Sequence, residues 1–148
     1  MSVALEIVEG RTSLAEARGY SASVIAALHH DAVALWENGR EEEALILLRG
    51  LRALDPTDPA TLRLLGLMLT ERNAHSEALE YLDVALYSRP SDALLRLARA
   101  RLRLIMGDAR GACKDLEIAA DTPGVGAGKH ARIFLERLAN PVPTRPVT

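Results

Sequence analysis

The chain has 148 residues, of which 49% are hydrophobic, 26% charged and 3% aromatic. This length suits one domain that buries its own core. The net charge of −2 does not favour nucleic-acid binding. The single cysteine, Cys113, excludes an internal disulfide and a cysteine-based zinc site. No apolar run approaches the roughly 20 residues of a membrane span, and the first residues are not expected to form a signal peptide.

Apolar residues recur at helical spacing nearly throughout, which predicts an all-α fold. The first strong stripe runs from Val24 to Leu35 and stops at Asn38 and Gly39. Further helices are predicted at residues 41–54, 60–72, 76–87, 91–106, 108–120 and 129–139. Residues 1–8 and 13–18 are expected to be short helices, residues 122–128 a loop, and residues 140–148 a disordered tail.

Small residues recur at an interval of 34 in both helices of each successive pair. They are Ala32, Gly66 and Ala100 in the first helices, and Ala44, Ala78 and Ala112 in the second. A pair of helices recurring at this interval is the signature of the tetratricopeptide repeat, and small facing residues let the paired helices approach closely. We therefore predict a superhelix of three repeats, 25–58, 59–92 and 93–126. An N-terminal helical segment, 1–24, precedes them and a capping helix ends at residue 139.

The third repeat departs from this pattern, because Arg96 and Arg103 occupy positions expected in the core. Two unpaired buried arginines would cost several kcal/mol. Either this terminal repeat exposes that face, or a slip or local rotation turns Leu95 and Leu102 inward, and the cost of buried arginines favours the second alternative. The wider group of arginines at 96, 99, 101, 103 and 110 is interpreted as a solvated face, with a site for an acidic partner as the alternative.

The first helices of stacked repeats line a concave groove. Here the predicted groove residues are His29, Val33, Trp36, Arg63, Leu67, Thr70, Leu97, Arg101 and Leu104. This mixed surface suits an extended peptide with apolar anchors. Tetratricopeptide proteins that bind the C-terminal carboxylate of a peptide use a cluster of Lys, Asn and Arg in the groove. Here only Arg63 and Arg101 could bind such a carboxylate.

The sequence predicts no catalytic residue, metal site or cofactor. His29, His30 and Asp31 are adjacent, so their side chains diverge on a helix and cannot chelate together. The segment 124–129 resembles half of a phosphate-binding loop but lacks the Ser or Thr after the lysine and a preceding strand, which favours a hinge. Cys113, next to Ala112, is expected to be an inert core thiol.

Among tetratricopeptide proteins, the sequence resembles one branch, the class II chaperones of bacterial type III secretion (the SycD/LcrH family). The similarity covers about residues 8–120, and its most specific part is the segment 10–21 ahead of the repeats. The repeats add Asn38-Gly39-Arg40, Glu43-Ala44, Leu51, Leu54-Asp55, Asp58, Leu65-Gly66, Glu77-Ala78-Leu79, Gly107-Asp108 and Gly111-Ala112.

The resemblance implies a non-enzymatic bacterial cytosolic chaperone that holds a pore-forming translocator protein before export. It also implies that the groove binds an extended segment of that client, with Trp36 keeping the aromatic wall usual in the first repeat, whereas His29 and Val33 depart from it. Homodimerisation through residues 1–20 is implied as well, with an N-terminal cap over repeat one as the alternative. The competing function is a general tetratricopeptide scaffold, or a needle-subunit chaperone, in another bacterial assembly.

Overall fold

The computed structural model describes residues 18–123 and 126–141, and within these ranges it is all-α, without strands. The helices are α1 (Ala22–Glu37), α2 (Glu41–Leu54), α3 (Pro59–Glu71), α4 (His75–Ser88), α5 (Ala93–Ile105), α6 (Ala109–Asp121) and α7 (Ala127–Ala139). The seven helices predicted from residue 24 onward are confirmed, and the ends predicted for them differ by at most two positions. The short helices predicted at 1–8 and 13–18, and most of the predicted tail, lie outside the described residues.

The turns inside the helix pairs repeat at the same interval as the small residues. Gly39, Asn73 and Gly107, spaced at that interval, have φ angles of 76°, 60° and 83°. This left-handed backbone ends a helix with little strain at glycine or asparagine. The turns between pairs repeat too, because the side chains of Asp58 and Asp92 cap α3 and α5 by accepting backbone N–H hydrogen bonds.

The chain forms two compact units, Met1–Ala85 (unit 1) and Leu86–Thr148 (unit 2), divided near the end of α4. In unit 1, α1 packs on α2, α2 on α3, and α1 also touches α3. Ala32, Ala44, Gly66 and Ala78 are completely or nearly completely buried, as the interval of 34 predicts. A Cβ built on Gly66 would lie only 2.7 Å from Cγ of Leu82 in α4, so the helices are in direct contact there.

In unit 2, α6 packs against both α5 and α7. One core cluster of this unit consists of small residues around one leucine. The members are Ala100, Ala112, Leu116, Ala119 and Ala131. Gly128 allows α7 to start against α6, since a Cβ there would meet the carbonyl oxygens of Ala119 and Thr122 at 3.2 Å. The predicted loop over 122–128 is therefore wrong at Ala127 and Gly128, which are the first helical residues of α7.

Asp115 of α6 corrects the interpretation of the third repeat. Its side chain has 0% exposure and accepts hydrogen bonds from Arg96, Arg99 and Arg103, at 2.7 to 2.9 Å. Leu95 and Leu102 are buried, as predicted. Arg96 and Arg103, however, also point inward, because the carboxylate of Asp115 forms hydrogen bonds with both of them.

The interpretation of the five arginines as a solvated face is therefore wrong for three of them. The side chains of Arg96, Arg99 and Arg103 are only 15%, 13% and 24% exposed. Burial alone would raise the pKa of Asp115. Hydrogen bonds from Arg99 and Arg96, together with the charges of Arg99 and Arg103, outweigh it and hold that pKa below the usual value of a carboxyl group.

Replacing Gly66 with alanine is expected to lower the free energy of unfolding by about 1–2 kcal/mol, because the added methyl overlaps Leu82 and outweighs the better helix propensity of alanine. Gly50→Ala is the matched control. A Cβ at Gly50 of α2 meets nothing within 4 Å, so this variant should be more stable than the wild type by about 0.5–1 kcal/mol. Urea unfolding followed by circular dichroism measures both, and equal effects of the two substitutions would contradict the packing described.

Asp115→Asn is expected to lower the free energy of unfolding by about 3–5 kcal/mol, because three half-buried arginines lose their shared carboxylate. The same unfolding measurement applies.

A compensated variant separates this effect from general damage to the core. One repeat earlier, the equivalents of the three arginines are Leu62, Leu65 and Leu69, and the equivalent of Asp115 is Tyr81. Combining Asp115→Tyr with leucine at the three arginine positions should restore most of the lost stability. Because the lowered pKa of Asp115 favours its ionised form, the wild type should lose this contribution as the pH falls below about 4, and the compensated variant should not.

Candidate functional site

The candidate site is the surface where α1 lies against α3 in unit 1, here called the α1–α3 face. It is formed by His29, Val33, Trp36, Arg63, Leu67 and Thr70. Each α1 residue has its repeat equivalent in α3 34 positions later: Arg63 is the equivalent of His29, Leu67 of Val33 and Thr70 of Trp36. Val33 and Leu67 are both half-buried, and helical spacing places each of them between a polar residue one turn before and Trp36 or Thr70 one turn after. These two apolar residues are here called the apolar strip.

Trp36 is held in place by α3. Its indole Nε1–H donates a 2.8 Å hydrogen bond to Oε2 of Glu71. The side chain is half-buried, and the polar edge of its ring is already satisfied. An incoming group therefore meets the apolar ring of an oriented aromatic side chain, which is favourable for binding because little rotamer freedom is left to lose.

His29 lies at the other end of the strip, where it connects α1 to the start of α3. Its Nε2 is 2.7 Å from the hydroxyl oxygen of Thr61, and that hydroxyl donates to Oδ2 of Asp58 at 2.6 Å. The same carboxylate oxygen also accepts the backbone N–H of Thr61 and so caps α3. Nε2 of His29 therefore acts as the donor to Thr61, and the imidazole ring positions the two helices.

This arrangement of histidine, threonine and aspartate differs from a nucleophilic triad in the direction of its hydrogen bonds. In such a triad the histidine accepts the proton of the hydroxyl. Here the hydroxyl proton of Thr61 points to Asp58, and Thr61 is only 1% exposed. The geometry is that of a capped and cross-linked helix start.

The two remaining residues of the face differ in how their polar groups are used. Thr70 is buried, and its hydroxyl donates to the carbonyl of Gly66 in its own helix at 2.6 Å. Arg63 is half-buried and makes no hydrogen bond or ion pair with any residue that the structure describes. Arg63 is thus the cation of this face whose guanidinium is open to a ligand.

The three predicted groove residues of unit 2 lie on α5. Leu97 and Leu104 are half-buried and pack against the cluster that includes Ala131 of α7, so the core of unit 2 already uses part of their surface. Arg101 is exposed. Leu94, one turn before Leu97, leaves 50% of its surface exposed.

Other chemistry considered from the sequence has little support in the described residues. Over residues 18–123 and 126–141, no three His, Cys, Asp or Glu side chains come together in a way that would hold a metal ion. His30 is exposed and Cys113 is half-buried with a free thiol. Gly128 of the resembled phosphate loop faces carbonyl oxygens, which repel anions, while Gly124 and Val125 lie outside the described residues. In the same described ranges, no helix has the length and apolar character needed to cross a bilayer.

The hydrogen-bonded partners of His29 and Trp36 were not predicted. Asp58 is recognisable in the sequence as a helix cap, but its second role toward His29 is not. Thr61 does give a signal, since its equivalents in the neighbouring repeats are Ala27 and Leu95 and a polar residue there needs a partner. Glu71 gives none, because an exposed glutamate at a helix end is common.

The comparisons with known proteins give structural neighbours but no sequence match. No family model matches the chain, and no curated protein matches it. The type III secretion translocator chaperone SycD of Yersinia enterocolitica superposes with a TM-score of 0.75 at 18% identity, covering 84% of this chain and 97% of SycD. A type III secretion complex from Aeromonas hydrophila superposes with a TM-score of 0.76 at 18% identity, covering 93% of this chain and 96% of the matched chain.

These structural neighbours indicate the same architecture as the helix pairs and the interval of 34 do, which is a tetratricopeptide repeat fold. At 18% identity the likeness concerns the fold. The chain has an all-α tetratricopeptide fold of the kind found in the translocator chaperone SycD.

Proposed function

We propose that the chain is a non-enzymatic chaperone of type III secretion that acts in the bacterial cytoplasm. In this proposal it binds an extended apolar segment of a translocator protein and keeps that protein soluble before export. The fold shared with SycD supports the type of function, and the resemblance of residues 10–21 and of the repeats points the same way.

The observation that carries the proposal is the α1–α3 face. It combines an apolar strip, Val33 and Leu67, with the ring of Trp36, whose polar edge is satisfied by Glu71. Half-buried apolar side chains next to a fixed aromatic ring suit the apolar side chains of an extended peptide. In this proposal a further part of the same client binds the groove positions predicted on α5, which are Leu97, Arg101 and Leu104.

Co-expression with a translocator encoded beside the gene should give a soluble complex, whereas the translocator alone should be insoluble. Trp36→Ala is expected to weaken the complex at least about tenfold, since buried aromatic anchors dominate such interfaces. Calorimetry on purified complexes measures the change.

Tyr87→Ala is the matched control, because Tyr87 is an aromatic residue of α4 that is 93% exposed and lies outside the α1–α3 face. It should leave affinity unchanged. A client that stays insoluble with and without the chain would contradict the proposal, as would equal affinities of the Trp36→Ala variant and the wild type.

A further inference from the structure

We propose that the α1–α3 face selects its peptide by charge as well as by apolar contact. The favoured segment carries an acidic residue on one side of its apolar anchors and a basic residue on the other. This inference rests on the proposed function. It adds the type of charged residue that the face prefers on each side of the apolar part of the peptide.

The cationic end of the face is formed by Arg63. Its guanidinium has no ion pair with any described residue, although the side chain is half-buried. The nearest carboxylate along the sequence, Asp58, is already engaged by Thr61 and by Nε2 of His29, 3.3 Å away. An arginine in this situation gains most from a carboxylate that a ligand brings with it.

The acidic end is formed by Glu37 and Glu71, which are equivalent residues of α1 and α3. Glu71 accepts the indole N–H of Trp36 through Oε2, which leaves Oε1 open. Glu37 is exposed and forms no ion pair with a described residue. The adjacent cation, Arg72, does not neutralise Glu71, because it pairs with Glu42 at 2.6 Å and with Glu41 at 3.7 Å.

The spacing of the two ends matches a short extended peptide. Arg63 and Glu71 are eight positions apart on one helix, which corresponds to about 12 Å. An extended chain covers that distance in about four residues. The apolar pair Val33 and Leu67 lies midway. Alternate side chains of an extended chain point to the same side, so a peptide of the form Asp-Ser-Leu-Ser-Lys directs its two charged side chains and its leucine toward the face, with one charge at each end and the leucine on the strip.

The test uses two synthetic peptides with blocked termini, one containing Asp-Ser-Leu-Ser-Lys and one containing Asn-Ser-Leu-Ser-Gln in the same flanking sequence. Trp36 is the single tryptophan of the chain, so its fluorescence reports binding to this face directly. At low salt the charged peptide should bind about tenfold more tightly than the neutral one, and this advantage should shrink as salt is added.

Arg63→Glu should abolish or invert the preference for the charged peptide. Arg63→Gln provides a second variant without a new charge and should reduce the preference, because only the attraction between the peptide lysine and the acidic end remains. Arg110→Glu is the matched control, since Arg110 is an exposed arginine of α6 in unit 2 and is not one of the residues that form the α1–α3 face, and it should keep the preference. Thermal unfolding checks that each variant is folded.

The outcomes separate this inference from the proposed function. Equal binding of both peptides by the wild type, or an unchanged preference in Arg63→Glu, would overturn the charge selection while the apolar contact stands. A fluorescence signal that responds to neither peptide would overturn both proposals.

Discussion

The direct contact of paired helices at alanine and glycine positions is the constraint on which the α1–α3 face depends. Gly66 has no room for a side chain because Leu82 occupies that space, and Ala32 and Ala44 are fully buried in the neighbouring pair. Such contacts fix where each first helix lies on its second helix. With α1 and α3 placed in this way, Trp36 and Glu71 come within hydrogen-bond distance at one end of the face, and His29 and Thr61 do so at the other.

Unit 2 stabilises its helix pair by a different interaction at equivalent positions. Leu62, Leu65 and Leu69 give way to Arg96, Arg99 and Arg103, and all three arginines converge on Asp115. A network of this kind adds little net stability over apolar packing, because each charge must lose its hydration. The network tolerates substitution of Asp115 poorly, however, because without this carboxylate the arginines lose the negative charge that they share. The two units thus share one arrangement of paired helices and differ in the side chains between the helices, which are leucines in unit 1 and a charged network in unit 2.

Periodicity was enough to predict the helices, their pairing and the small residues between them, because these follow from local spacing. It also supplied the candidate residues of the α1–α3 face, and their role in binding stays a prediction. The hydrogen bonds of His29 to Thr61 and of Trp36 to Glu71 join residues 32 and 35 positions apart, so local spacing gives no hint of them. The role of Asp115 was missed for a similar reason. A single carboxylate that partners three arginines is visible only once α5 and α6 are placed together.

The central claim is that an apolar peptide binds on the α1–α3 face of unit 1. Nuclear magnetic resonance tests it most directly, because the indole N–H of Trp36 gives one signal in a chain with a single tryptophan. On adding a peptide with two apolar anchors, this signal and the methyl signals of Val33 and Leu67 are predicted to shift together and to saturate at the same concentration. Shifts confined to exposed apolar residues elsewhere, such as Ile46 and Tyr87, would contradict the account.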